Sequence, residues 1–253
     1  SYFSKAKGLK VISNDILKIN YFISKALVEN SEVKLDFEDI DLIFSGTPKE
    51  GFMFNNYSEI FFFPKECNEL YNKCKVGVCM SSSNPSRIPF EMMAAGLPVV
   101  DLYRENIDKL SSEYKKALAL ILMRRAMIRK MPYSRFNINW EKIVELRNEK
   151  LSYEKYKRKR AYHNQSFKTH FLENINDYNR AVFDNEKNNL SLNEDVFDAI
   201  EKFQADIIYL DPPYTGTMNN YFGFYGMLDE YIEGKKIEPF GNNFIDKKTS
   251  IDL

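Results

Sequence analysis

Apolar positions along the chain fall into strand-like and helix-like stretches. Residues 2–7 read as the end of a helix that Gly8 closes. Leu9–Asp15 reads as a short strand ending in an acid, and Ile16–Glu29 then carries apolar residues at helical spacing. A long helix is expected over Ile107–Lys130, stopping before Met131-Pro132, and another near Trp140–Glu149. Residues 189–197 predict a short strand and turn, followed by a helix to about Phe203. Asp206–Asp211 is an apolar, β-branched run cut off by Pro212 and Pro213, as expected of a buried parallel strand, because proline cannot donate to a ladder. Val76–Met80, Pro89–Ala95 and Pro98–Asp101 predict a compact strand, helix and strand around a Ser/Asn/Pro loop and a Gly turn.

These elements point to an α/β protein, and 253 residues suffice for one large domain plus a smaller module. Hydrophobic content of 44% against 28% charged allows a packed core. Net charge is zero, yet from Lys115 to His170 there are 16 Lys/Arg against 4 Asp/Glu. A basic stretch with interleaved aromatics inside an acidic frame is a footprint for phosphate, or else a solvated helical surface. Cys67, Cys74 and Cys79 are odd in number and lack metal-ligand spacing, which argues against structural zinc and a disulfide framework and for a reducing, cytoplasmic setting. His163 and His170 lie two helical turns apart without a nearby third ligand, so a surface or hydrogen-bonding role outweighs a metal pair; no metal is expected. No apolar run approaches the ~18 residues of a membrane span. The first residues lack the apolar core of a signal peptide.

The richest chemistry lies at Asp211-Pro212-Pro213-Tyr214. In open α/β sheets ligands sit beyond the carboxyl ends of strands. There the Asp211 carboxylate and the Pro212 carbonyl can accept hydrogen bonds from an exocyclic amine. Tyr214 can stack on the ring, and the prolines hold the acceptors rigid. This motif, within YLDPPYTGTMNNYFGFYG, resembles the catalytic segment of Dam-like N6-adenine DNA methyltransferases. The resemblance implies a partial Rossmann-like methyltransferase sheet, S-adenosylmethionine as cofactor, double-stranded DNA as substrate, and a possible cognate restriction endonuclease as partner. In that family an Asn-Asp pair after the second strand contacts the cofactor ribose, which Asn14-Asp15 matches; by itself Asp15 would read as a helix cap. An acid before a later helix faces the adenine amine, matched by Asp195 with Phe197 as a ring contact, the alternative again being a cap. Gly51–Ser58 also looks family-like, near the start of target recognition, or else reads as plain core and turn.

The family's Gly-rich cofactor loop and its last strands are not found, so the chain reads as truncated at both ends. Four regions are expected: 1–68 as the first part of the methyltransferase domain, 69–104 as an inserted unit, 105–175 as a helical, basic target-recognition module, and 176–253 as the catalytic part. Residues 69–104 resemble part of rhamnan-type glycosyltransferases through Pro-Phe-Glu-Met-Met-Ala-Ala-Gly-Leu-Pro-Val-Val, where Glu91 would contact a donor ribose. In the basic module Arg124, Arg125, Arg129 and Arg135 are candidates for phosphate, with dipole-complementing cations as the alternative. Arg158, Arg160, Asn164 and Gln165 are candidates for DNA contacts, including base edges. Thr215–Tyr225 is expected to form a mobile loop over a flipped base. A glycosyltransferase fragment and a non-catalytic DNA-binding remnant are the alternative readings.

Overall fold

The computed structural model describes residues 1–57, 97–130, 166–211 and 221–237. Chain order is α1 (Tyr2–Ala6), β1 (Ile12–Asn14), α2 (Lys18–Ser24) continuing into a π-helical turn (Lys25–Glu29), α3 (Phe37–Ile43), α4 (Phe52–Tyr57), α5 (Leu97–Asp108), α6 (Glu113–Lys130), α7 (Phe167–Ala181), β2 (Leu190–Leu192), α8 (Val196–Lys202) and α9 (Tyr221–Glu233). Helices dominate, and β1 and β2 form a two-stranded parallel sheet in the register Ile12–Leu190, Ser13–Ser191, Asn14–Leu192.

The core is built around α6. Ala117 to Met123 are buried without a break, as are Ala126 and Met127. A helix apolar on every side must be enclosed on every side. Here α7, α2, the π-turn and α5 supply that enclosure. Phe171 of α7, Ile19 of α2, Ile43 of α3 and Ile107 of α5 are fully buried in the same cluster. The first turn of α3 is fixed by a reciprocal box in which Asp36 accepts from the Asp39 N–H and Asp39 accepts from the Asp36 N–H. Lys115 of α6 reaches both carboxylates at 2.8 Å, and this contact holds the exposed Asp36 carboxyl well below its ordinary range, at about 2.

The sheet is short, and side chains extend it. Glu29 accepts from the Ser191 N–H at 2.8 Å and from the Tyr114 hydroxyl, closing the side of β2 that faces away from β1. Below the ladder, the Val11 N–H donates to Asn189 Oδ1. Asn189 in turn donates to Asn185, which donates to the carbonyls of Lys5 and Leu9. Gly8, at φ +79°, turns the chain from α1 toward β1, a conformation that favours glycine.

Several stretches differ from expectation. Pro98–Asp101 lies in α5 rather than in a strand. Pro98 sits in the first helical turn, where a missing N–H breaks no intrahelical bond, and the helix buries Val100 and Ile107 in the core. The helix expected over Ile107–Lys130 is two helices, broken at residues 109–112, with Ser112 Oγ accepting from the Tyr114 N–H. Asp206–Asp211 is irregular and exposed, with Ile207 82% and Tyr209 84% accessible. A strand needs a neighbour to pair its backbone, and this segment has no ladder partner among the described residues. Tyr221–Tyr225 opens α9 and is not loop. His170 is fully buried on α7, not at the surface. The strand Val76–Met80, the helices at 89–95 and 140–149 and all three cysteines lie outside the described residues.

Across the core, Asp101 of α5 anchors the start of α4. Its carboxylate accepts from the N–H groups of Gly51, Met53 and Phe54 at 3.1, 2.7 and 2.9 Å. A Cβ at residue 51 would lie 2.7 Å from Asp101 Cγ, so only glycine allows this approach. Burial pushes the Asp101 carboxyl up, opposed by the three N–H donors. Replacing Asp101 by Ala leaves those donors unsatisfied and should cost about 2–4 kcal/mol in urea unfolding, with Gly51→Ala destabilising in the same direction.

Candidate cofactor site at the strand ends

Because β1 and β2 pair in parallel, their carboxyl ends lie together. Asn14 and Glu194 exchange two hydrogen bonds. Asn14 Nδ2 donates to the Glu194 carbonyl and the Glu194 N–H donates to Asn14 Oδ1, each at 3.1 Å. Asn193 Nδ2 donates to the carbonyls of Asp15 and Ile16 at 2.8 and 2.9 Å. The turn after β1 and the turn after β2 are thereby locked together, which brings Asn14, Asp15, Asp195 and Phe197 to the same end of the sheet.

Asp15 is half-buried. Its Oδ1 accepts from the Leu17 N–H and its Oδ2 from Asn20 Nδ2, each at 2.9 Å. Burial pushes its pKa up, and those two donors oppose the shift. Each oxygen keeps a second lone pair, so the carboxylate can accept from a pair of vicinal hydroxyls. Asp195 caps α8 by accepting from the Phe197 N–H at 2.8 Å. Phe197 itself is 49% exposed and Ile16 42% exposed, giving apolar surface beside the polar groups. A carboxylate for hydroxyls, a second acid and exposed apolar side chains fit a nucleoside such as that of S-adenosylmethionine.

The Leu17–Asn20 turn has a second anchor that the sequence did not single out. Asp229 of α9, 2% exposed, accepts from the N–H groups of Lys18 and Ile19 at 2.9 and 3.0 Å. Lys18 and Glu233 pair beside it at 3.4 Å. Its sequence signal is the acidic pair Asp229-Glu230 between the apolar pairs Met227-Leu228 and Tyr231-Ile232. Asn20 and Asn193 were missed as well, because an isolated Asn reads as a turn residue.

Other expected site residues are placed differently. Asp211 is exposed at the end of the irregular segment, and Pro212, Pro213 and Tyr214 lie outside the described residues. Arg125 Nε donates to Asn174 at 2.7 Å and Arg129 pairs with Glu173 at 3.1 Å, so both tie α6 to α7. Arg124 is half-buried on the same helix. Arg135, Arg158, Arg160, Asn164 and Gln165 lie outside the described residues. Among the described residues no cluster of three or more metal-ligating side chains occurs, and no helix is long and apolar enough to cross a membrane.

Burial raises the Asp229 carboxyl to about 6, with Asp15 and Glu233 adding to the shift and the Lys18 and Ile19 donors opposing it. A carboxyl raised on folding stabilises the fold while protonated, and that contribution is lost as pH rises through about 6. Urea unfolding at pH 5 and pH 7.5 should show this loss in the wild type and a flatter response in Asp229→Asn.

Comparison with known proteins fits this geometry. The profile of the D12 class N6 adenine-specific DNA methyltransferases matches residues 1–251. The type II methyltransferase M2.HphI of Haemophilus parahaemolyticus is 51% identical over 253 residues, covering 100% of this chain and 66% of its own length. The chain thus spans just under two thirds of that relative. No solved structure matches it. The bounds of both matches include residues 69–104, and α5 occupies the end of that stretch as a core helix. Neither match supports the expected glycosyltransferase-like unit, and its second strand is replaced by α5. The chain belongs to the D12 class of N6 adenine-specific DNA methyltransferases.

Proposed function

We propose that this protein transfers a methyl group from S-adenosylmethionine to N6 of adenine in double-stranded DNA. The observation that carries the reading is the joint between Asn14 and Glu194, which ties the turn that carries Asp15 to the turn that carries Asp195 at the carboxyl ends of parallel strands. Asp15 takes the ribose hydroxyls and Asn14 keeps the joint closed. Asp195 faces the adenine amine of the cofactor, and Phe197 lies against its ring. When bound, S-adenosylmethionine supplies an electrophilic sulfonium methyl.

The remaining chemistry belongs to Asp211-Pro212-Pro213-Tyr214. The N6 lone pair is delocalised into the adenine ring. Hydrogen bonds from N6 to the Asp211 carboxylate and the Pro212 carbonyl favour a more tetrahedral nitrogen and stabilise the positive charge that develops on it. Tyr214 stacks on the base and offsets part of the few kcal/mol needed to take it out of the duplex. In-line positioning supplies much of the rest. The new N–CH3 bond forms as the S–CH3 bond breaks, and a proton leaves N6.

DNA binding is assigned to the basic stretch, with Arg135, Arg158, Arg160, Asn164 and Gln165 as its contacts and Arg124, Arg125 and Arg129 near its base. The relative's designation as a type II methyltransferase supports a restriction–modification setting, with a cognate endonuclease reading the same site in the cytoplasm. The glycosyltransferase alternative is dropped, because α5 replaces the strand it required.

Duplex DNA incubated with methyl-labelled S-adenosylmethionine should acquire label on adenine N6. Asp211→Ala should lower the rate at least about a hundredfold while leaving cofactor affinity within about threefold, a difference of roughly 0.7 kcal/mol. Asp15→Ala should instead weaken cofactor binding by about tenfold, or ~1.4 kcal/mol. Salt-sensitive DNA binding without label, unchanged by Asp211→Ala, would mean a DNA-binding remnant instead.

A further inference from the structure

The first turn of α2 is held by two carboxylates from different parts of the chain. Leu17 occupies the N-cap position and offers no side-chain cap of its own. The first N–H groups of a helix need partners. Asp15 takes the Leu17 N–H, and Asp229 takes those of Lys18 and Ile19. Three consecutive N–H groups are thus shared between the candidate ribose carboxylate and a buried acid of α9. The same N–H groups supply local positive potential that lets the two acids lie near each other. The charged groups that act on Asp229 are Asp15 and Glu233, and Glu233 is paired in turn with Lys18.

We propose that Asp229 is a positioning residue for cofactor binding. From the helix that follows the Asp211 segment, it fixes the start of α2 and thereby the Asp15 carboxylate. It acts through Asp15, without touching the ligand. A link of this kind joins the two halves of the reaction. α9, which follows Asp211 in the sequence, grips the turn that carries Asp15. The inference rests on the methyltransferase reading for what Asp15 binds.

The test compares wild type with two variants. Asp229→Asn keeps the shape and one acceptor oxygen. Lys18→Pro removes one donor without touching Asp229, at the first helical position where proline is tolerated. Leu17, at φ −73° and ψ 125°, already has the backbone that precedes a proline. Two quantities are read: amide hydrogen exchange at Leu17 and the Kd for S-adenosylmethionine. The Leu17 N–H is bonded to Asp15 and not to Asp229, so a purely local loss at Asp229 would not move it.

Exchange at Leu17 is expected to quicken about tenfold in Asp229→Asn and severalfold in Lys18→Pro, with Kd rising in parallel and the unfolding temperature staying within a few degrees. Unchanged Leu17 exchange with unchanged Kd in the folded variants overturns the proposal. Should Asp229→Asn fail to fold, Lys18→Pro decides by the same two readings. If the wild-type chain binds no S-adenosylmethionine, the methyltransferase reading fails. The positioning role is then decided by Leu17 exchange alone, quickened for it and unchanged against it.

Discussion

Everything at the candidate site depends on a parallel pairing only three residues long. Ile12–Asn14 and Leu190–Leu192 are joined from opposite ends of the chain, and so brief a ladder is weak by itself. Asparagine side chains prolong it at both ends. Asn189 takes the Val11 N–H below, and Asn14 and Asn193 bind backbone of the opposite turn above. An amide side chain carries both a donor and an acceptor, so it can imitate a further residue of strand. Glu29 completes the arrangement by occupying the Ser191 N–H on the outer edge.

The core and the site are coupled through helix ends. The middle of α6, Ala117 to Met123, is enclosed on all sides, and what remains polar on its neighbours is used to fix their termini. Asp101 holds the start of α4, Lys115 joins the capping box of α3, and Arg104 lies on the last carbonyls of α9 at Tyr231 and Ile232. Asp229 does the same for α2. Buried charge is costly unless it meets hydrogen-bond donors or acceptors, and helix ends offer several at once. Asp39, Asp101 and Asp229 thus work as clasps between elements distant in sequence.

Much of this was legible in the chain and some was not. The two short strands and the helices that follow them are visible in the periodicity, and the family resemblance singled out Asn14, Asp15 and Asp195 as candidates near the strand ends. The Asp-Pro-Pro-Tyr motif marked the family, although its strand is irregular and exposed where it is described. Val99 and Val100 suggested a strand, yet tertiary packing against α4 and α6 placed them in a helix, because β propensity yields to context. Arg125 and Arg129 read as a basic footprint, but they bond to Asn174 and Glu173 of α7, 49 and 44 residues further along the chain. The role of Asp229 was hidden for the same reason. Its partners are backbone N–H groups about 210 positions earlier, and no local pattern encodes that distance.

Stitching by asparagine also sets how the molecule ages. Hydrolysis of an asparagine amide to a carboxylate exchanges a donor for an acceptor and adds a negative charge. At Asn193 the new group would face the carbonyl oxygens of Asp15 and Ile16, and at Asn14 it would face that of Glu194. Attraction would become repulsion at the very joints that align the strand ends. Asparagine is among the residues depleted from proteins built for heat. Prolonged warming would therefore wear this protein out from its sheet, by covalent damage at a few side chains, long before the apolar core around α6 gives way.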